Sequence, residues 1–416
     1  MRRGDDNYSV INRDGSSQDP DRPAAGSRPA ARNASLTFKI TSTAFLAVLV
    51  CISGGSAADI AAVYTHAVDV NSALFFRTPD RTTYVSTGDI DAMWLRDSSV
   101  QAMSKLNDRD LIHGVIARQE RLIAIDPYAN AFHKDYGVAE RKFELDSLCY
   151  PVRLAEAYVN ASGDRSVYDL HFYAELHIIL KTLLIEQRHN DLSTYHRNEH
   201  AAKDGTGLIW SAYRPSDDPQ AYNYNIPENM FAATTLRDMA RIFHERYADD
   251  ASAHKAQNAA DRISQAIETR AVFWSSRHGW IYAYEIDGLG HAKFMDDANV
   301  PSLLSVPLLG YDYNKKVNAA TRQFVLSPGN PYYFRGRYAS GVGSEHTPWN
   351  YVWPMSLIVE YRTTDDPKER ERIVRELALS NAGDGALHES FDVNDPRRFT
   401  RPKFGWVNAL FEQTFL

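Results

Sequence analysis

The sequence predicts an all-α fold, a toroid of six helical hairpins, and three observations predict it. After Asp59 the apolar residues recur at helical spacing, and the strict alternation of a strand is rare. Six segments share one pattern, a polar or aromatic cluster that runs straight into an apolar helix; they begin near Trp94, Glu144, Asn225, Ala298, Trp349 and Phe404. Charged amphipathic helices alternate with them. The spacing from one such segment to the next is about fifty to eighty residues, which suits one helical hairpin plus a loop. The apolar helices belong to an inner ring and the charged ones to an outer ring. The polar loops then gather at one mouth, where helix N-termini turn backbone donors toward an oxygen-rich ligand.

Residues 1–39 are rich in Gly, Ser, Pro, Asp and Arg and hold few large apolar side chains, so they read as a disordered N-terminal region. Residues 40–58 carry no charge, and Ala44 to Ile52 is continuously apolar, which reads as a signal peptide or signal anchor. A span needs ~20 apolar residues. This run reaches that length only by including Thr41, Ser42, Thr43, Ser53, Gly54 and Gly55, and a buried helix is the competing reading. Arg2, Arg3, Arg13, Arg22, Arg28, Arg32 and Lys39 precede the run and Asp59 follows it. That asymmetry places the N-terminus in the cytoplasm and the rest of the chain on the exported side, with membrane attachment through residues 40–58 if the segment is retained. Residues 59–416 form the ring of helices.

The outer helices are predicted at Asp59–Phe76, Asp108–Ile125, Arg165–Arg188, Ala251–Trp274, Asn314–Val325 and Pro367–Asn381. The last has the clearest ends, with Asp366 as N-cap, Pro367 at the first helical position, Glu369 in the first turn and Gly383 just beyond. Its charged face marks it as an outer helix.

Composition narrows the function. The net charge of −7, from 46 basic and 53 acidic residues, excludes the concentrated basic surface that a nucleic acid requires. Two cysteines at unrelated positions, Cys51 and Cys149, make neither a disulfide framework nor a Cys-based zinc site. The mouth loops instead concentrate carboxylates and aromatic residues: TGDIDAMWLRDSSVQ, DPYANAF, WSAYRPSDDP, MDDANVPSLL and HESF. Paired carboxylates suit Ca²⁺ or Mg²⁺, yet EF-hand spacing, HExxH and HxH are all missing from the sequence. A GxSxG elbow is also missing, and Cys149, beside Tyr150 and Pro151, reads as a buried small hydrophobe. Glycoside hydrolysis needs one carboxylic acid, one carboxylate base and a wall that holds a sugar, and the loops supply each.

The blocks TGDIDAMWLRDSSVQ, IDPYANAF, ERKFELDSLCYP, WSAYRPSDD, NIPENMFAATTL, MDDANVPSLLS, NPYYFRGRYASGVGSEHT and HESFDVNDPRRFTR closely resemble glycoside hydrolase family 125, in order, from about Thr87 to the C-terminus. The resemblance implies an (α/α)6 barrel and an inverting, metal-independent exo-α-mannosidase that prefers α-1,6 linkages and uses no cofactor. It implies Glu389 as general base and an aspartate of the RPSDD block, Asp217 or Asp218, as general acid; sequence spacing does not choose between neighbours. It further implies Arg96 and Asp97 in the pocket for the non-reducing sugar, with Trp94, Arg214, His346, Thr347 and Arg401 in the binding shell. Asp296 and Asp297 are expected to hold a loop rather than to react. Glu345 replaces the small residue or proline expected in GVGSEHT, at the leaving-sugar side, and Asp91 replaces an expected proline. The other readings are an inverting α/α-barrel glycosidase acting on glucosides, and a sugar-binding protein without catalysis.

Overall fold

The computed structural model describes residues 55–195 and 205–415. The expectations for residues 1–39 and 40–54 lie outside the described residues. Among those described, no helix is long and apolar enough to cross a membrane.

Eleven α-helices are present among the described residues. In chain order they are α1 (Gly55–Ser72), α2 (Leu95–Met103), α3 (Arg109–Ile125), α4 (Leu145–Ser162), α5 (Leu170–Glu186), α6 (Ile226–Tyr247), α7 (Asp250–Arg270), α8 (Lys315–Val325), α9 (Pro354–Arg362), α10 (Pro367–Leu379) and α11 (Gly405–Phe415). α2, α4, α6, α9 and α11 form the inner ring, buried along most of their lengths. α2 packs on α4, α4 on α6, and α9 on α11; α11 packs back on α2 and closes the ring. Five of the outer helices start on side-chain caps, each relieving N–H groups that a helix leaves unpaired. Asp108, Asp169, Asp249, Asn314 and Asp366 accept from the first turns of α3, α5, α7, α8 and α10. The predicted Asp59–Phe76 helix ends at Ser72, because Phe75–Arg77 pairs as a strand with Thr83–Val85.

The fourth predicted inner helix is the exception. The segment from Ala298 contains only a 3₁₀ turn, Val306–Leu308. Pro301 and Pro307 each lack the N–H that a helix needs. Side chains then take up the backbone donors: Asp296 accepts from Leu303 and Leu304 N–H at 2.8 and 2.9 Å, and Ser302 and Ser305 accept from each other's N–H at 3.1 and 2.8 Å. The segment still takes its place in the ring. Tyr150 OH donates to Val300 O at 2.9 Å and Arg153 Nη2 to Leu308 O at 3.4 Å, both from α4.

Short antiparallel pairings fix the entry to each inner helix. Met93–Trp94 pairs with Ala131–Phe132, Tyr224–Asn225 with Glu285–Ile286, and Tyr351–Val352 with Ser390–Asp392. A single parallel bridge, Glu144↔Tyr213, and a single antiparallel one, Gly88↔Phe404, pin the entries to α4 and α11. The loops at this mouth are therefore pinned to one another at the residues that precede the helices.

Candidate active site

Three hairpins meet around one cation. Arg96, on the first turn of α2, is 2 % exposed and lies over the Trp406 ring at 4.7 Å. Its Nη1 donates to Glu144 Oε2 at 2.7 Å and its Nε to Asp97 Oδ1 at 3.3 Å, while Asp146 and Asp217 each place an oxygen 3.7 Å away. Burial pushes the carboxyl groups of Asp97, Glu144 and Asp146 above their ordinary range, Asp146 to about 6, and Arg96 opposes the shift in each case. Thr87 Oγ1 donates to Asp97 Oδ2 at 2.5 Å. Asp146 has no hydrogen bond to either carboxyl oxygen among the described residues.

The turn Arg214-Pro215-Ser216-Asp217 separates the two adjacent aspartates. Asp217 N–H donates to Arg214 O and Arg214 N–H to Asp218 O, both at 2.9 Å, which forces Asp217 to φ +64° in the left-handed region. Asp217 consequently faces the cavity, where Asn130 Nδ2 donates to its Oδ1 at 3.0 Å. Asp218 turns the other way, accepting from Ser216 Oγ at 2.9 Å and lying 3.3 Å from His346 Nδ1. The hydrogen bond to Asp218 lifts the His346 imidazole to about 9, so it is protonated at neutral pH. For Asp217, burial alone would raise the pKa, but the hydrogen bond with Glu144 and the charges of Arg96, Lys142 and His346 hold it below the usual carboxylate range.

Glu389 stands at the opposite end of the chain, just before the strand Ser390–Asp392, and its N–H donates to Thr400 O at 3.3 Å. It is 5 % exposed, and burial raises its pKa against the pull of Arg401 and His346. Arg401 Nη1 is 3.8 Å from Glu389 Oε1 and donates through Nε and Nη2 to Asp89 Oδ1 at 2.8 and 2.6 Å.

These groups line a cavity of about 520 Å³. Of the residues expected from sequence, Trp94, Arg96, Asp97, Asp217, His346, Thr347, Glu389 and Arg401 share its wall. Trp94 is buried there with its indole Nε1 free of a hydrogen-bond partner among the described residues. Thr347 Oγ1 accepts from Trp353 Nε1 at 3.0 Å. Two of the expected residues stand off the wall. Asp218 reaches the cavity only through His346, and Arg214 lies behind it, its Nε 2.6 Å from Glu285 Oε1 and its Nη1 2.7 Å from Glu345 Oε2. Asp296 and Asp297 hold loops: Asp296 accepts from Leu303 and Leu304 N–H, and Asp297 accepts from Asn299 and, across to the loop before α9, from Ser344 Oγ.

Sequence reasoning missed Lys142, Glu144, Trp353 and Trp406; Asn130 stood in the DPYANAF block without an assigned role, and its amide reaches Asp217. The pattern that would have found Glu144 is an acid at or just inside the start of successive inner helices, with Asp97, Asp146 and Glu228 in the first turns of α2, α4 and α6. Trp406 follows the Gly405 that opens α11, and only the packing of α11 against α2 brings it under Arg96.

Comparison with known proteins places this geometry. The family described as metal-independent α-mannosidase matches residues 59–416. A curated relative, the meiotically up-regulated gene 157 protein of Schizosaccharomyces pombe, is 34 % identical over 388 residues, covering 80 % of this chain and 76 % of its own. A solved structure from Streptococcus pneumoniae, a metal-independent α-mannosidase in a non-productive complex with α-1,6-mannobiose, is 37 % identical with a TM-score of 0.80, covering 86 % of this chain and 93 % of its own. A glucoamylase from Saccharomycopsis fibuligera shares the fold alone, at 11 % identity and a TM-score of 0.57 over 92 % of this chain and 97 % of its own. The all-α (α/α)6 barrel is thus common to this chain and the two solved structures, and the chain belongs to glycoside hydrolase family 125, the metal-independent α-mannosidases.

Proposed function

We propose that the protein is an inverting exo-α-mannosidase that removes terminal α-1,6-linked mannose from the non-reducing end of oligosaccharides, with Asp217 as general acid and Glu389 as general base. The observation that carries this reading is the arrival of these two carboxyl groups, from distant parts of the chain, on the wall of one cavity with Arg96 and Asp97. Its volume, about 520 Å³, lies within the range of ligand pockets, about 300–1,000 Å³. Trp94, Trp353, Phe404 and Trp406 supply apolar faces for a sugar ring, and Arg96 with Asp97 suits adjacent hydroxyl groups.

In this reading a water beside Glu389 attacks the anomeric carbon, Glu389 takes the water's proton, and Asp217 protonates the leaving oxygen on the opposite face. Burial raises the Glu389 pKa and so strengthens it as a base, while Arg401 at 3.8 Å favours its anion. The choice of Asp217 over its neighbour rests on the turn that points Asp217 into the cavity and gives Asp218 to His346. Arg214 acts from behind the cavity by fixing the turn to Glu285 and Glu345. The test is hydrolysis of linkage-defined mannobioses and glucobioses by the Asp217→Asn and Asp218→Asn variants. Asp217→Asn is expected to lose turnover of α-1,6-mannobiose and Asp218→Asn to retain a measurable part; the reverse order, or release of glucose in preference to mannose, contradicts the reading. We also propose, from the apolar residues 40–58 and the basic residues before them, that the enzyme works on the non-cytoplasmic side of a membrane; protease protection of the barrel in intact membrane vesicles tests it.

A further inference from the structure

The assignment of Asp217 leaves a chemical problem. A general acid must carry a proton, and Asp217 is surrounded by groups that favour its anion: Arg96 at 3.7 Å, the Asn130 amide at 3.0 Å, and the charges of Lys142 and His346. Behind it lies Glu144, with no solvent exposure, hydrogen-bonded to Asp217. Asn130 Nδ2 reaches both groups, at 3.0 Å to Asp217 and 3.4 Å to Glu144 Oε1. Two carboxyl groups that share one amide donor and one guanidinium oppose each other's ionisation.

We propose that Glu144 is the proton partner of Asp217: the two carboxyl groups share one proton, which rests on Glu144 in the empty site and passes to Asp217 when a sugar covers the cavity. This rests on the reading of Asp217 as the acid. The structure gives both end states a reason. The Asp217 side chain is 19 % exposed, so solvent and the surrounding donors stabilise its charge, and the buried Glu144 holds the proton. A bound sugar removes that water, which disfavours the Asp217 anion. Glu144 then tolerates the charge, because Arg96 Nη1 at 2.7 Å and Ser147 Oγ at 3.0 Å already donate to its Oε2. The O–H bond of Glu144 breaks as one forms on Asp217, and that bond breaks in turn as the leaving oxygen is protonated. Over a turnover the pair loses one proton to the leaving sugar and Glu389 gains one from water; exchange with bulk water through the mouth restores both.

Among the described residues, the charged groups facing the pair are Arg96 and Asp97 from α2, Asp146 from α4, Glu140 at the end of the strand Val138–Glu140, Lys142 from the loop before α4, and His346 from the loop before α9. Glu228 of α6 faces Asp146, one step further away. Glu144 touches no sugar in this arrangement, so it is a positioning residue for the proton rather than a catalytic one.

The test separates proton supply from structure by using two substrates. α-1,6-Mannobiose needs a general acid; α-mannosyl fluoride departs as fluoride and does not. Glu144→Gln removes the shared proton and leaves Asp217 facing Arg96 and an amide, so turnover of mannobiose at about pH 7 is expected to fall about 100-fold. The basic limb of its pH profile is expected to move at least about one unit lower, with fluoride hydrolysis within about threefold of the parent. Glu144→Asp, which keeps a carboxyl group, is expected to fall between the two. Equal loss of both substrates in a folded variant, or an unmoved pH profile, overturns the proposal. If the Gln variant does not fold, Glu144→Asp decides by the same comparison of substrates. Asp217→Asn run alongside distinguishes the failures: if it still turns over mannobiose, the assignment of the acid is wrong, whereas its loss beside a normal Glu144→Gln profile removes only the role of Glu144.

Discussion

Replacing Arg96 with methionine removes a cation that four carboxyl groups share while keeping most of the side chain's volume against Trp406. Arg96 is 2 % exposed, and its partners Glu144 and Asp146 have fully buried side chains, so solvent cannot replace it. Breaking a buried pair by removing one partner costs about 3–5 kcal/mol. At about 2 °C per kcal/mol for a domain of this size, the melting temperature at pH 8 should fall by about 8 °C. The pH dependence has a definite sign. Asp97, Glu144 and Asp146 already titrate above the ordinary range, and without Arg96 they rise further. A carboxyl group whose pKa is higher folded than unfolded contributes stability at low pH and loses it as pH rises through the folded value. The deficit of Arg96→Met should therefore be smaller at about pH 5 than at about pH 8. Differential scanning calorimetry of the two proteins at both values measures it. A fall of less than about 2 °C at pH 8, or a larger deficit at pH 5, refutes the view that Arg96 neutralises this cluster.

Further outcomes follow from other parts of the cavity and the ring. Glu389→Gln should lower the turnover of α-1,6-mannobiose by about 10²–10⁴-fold, the usual contribution of a general base, with melting unchanged; steady-state kinetics and calorimetry check both halves. His346 titrates at about 9 through its hydrogen bond to Asp218, so its contribution to stability is complete below about 6.5 and lost as pH rises through about 9. Its side chain is 38 % exposed, which limits the contribution to about 1 kcal/mol, and urea unfolding of His346→Asn should converge with the parent above about pH 10. Gly88 has φ +136° and an added Cβ would lie 2.2 Å from Lys403 O, so Gly88→Ala should destabilise the ring closure by about 2 kcal/mol in the same assay. Activity should be unchanged in EDTA; a chelator-sensitive enzyme contradicts the account.

Much of the ring was legible because its signals are local. A capping side chain followed by an amphipathic stretch specifies each outer helix without reference to the rest of the fold, as at Asp366-Pro367. The fourth inner segment reads as a helix because SLLSVPLL has helical apolar spacing, while the carboxylate that diverts its backbone into a 3₁₀ turn, Asp296, lies outside that pattern. In the site, the motif blocks marked the turn but not its direction. Only the left-handed backbone at Asp217 sends one aspartate into the cavity and the other to His346. Arg214 was placed among the sugar-binding residues because it shares the RPSDD block, and its carboxylate partners, Glu285 and Glu345, are distant in sequence. Glu144 escaped notice for the same reason. Its meaning comes from Arg96 on another hairpin and from Asp217 on the turn before α6.

The central claim, single displacement at an α-mannoside by two carboxyl groups across one cavity, is tested most directly by following the hydrolysis of α-1,6-mannobiose by proton NMR before the released sugar mutarotates. The account predicts that β-mannose appears first, from the terminal residue. Initial release of α-mannose would contradict it.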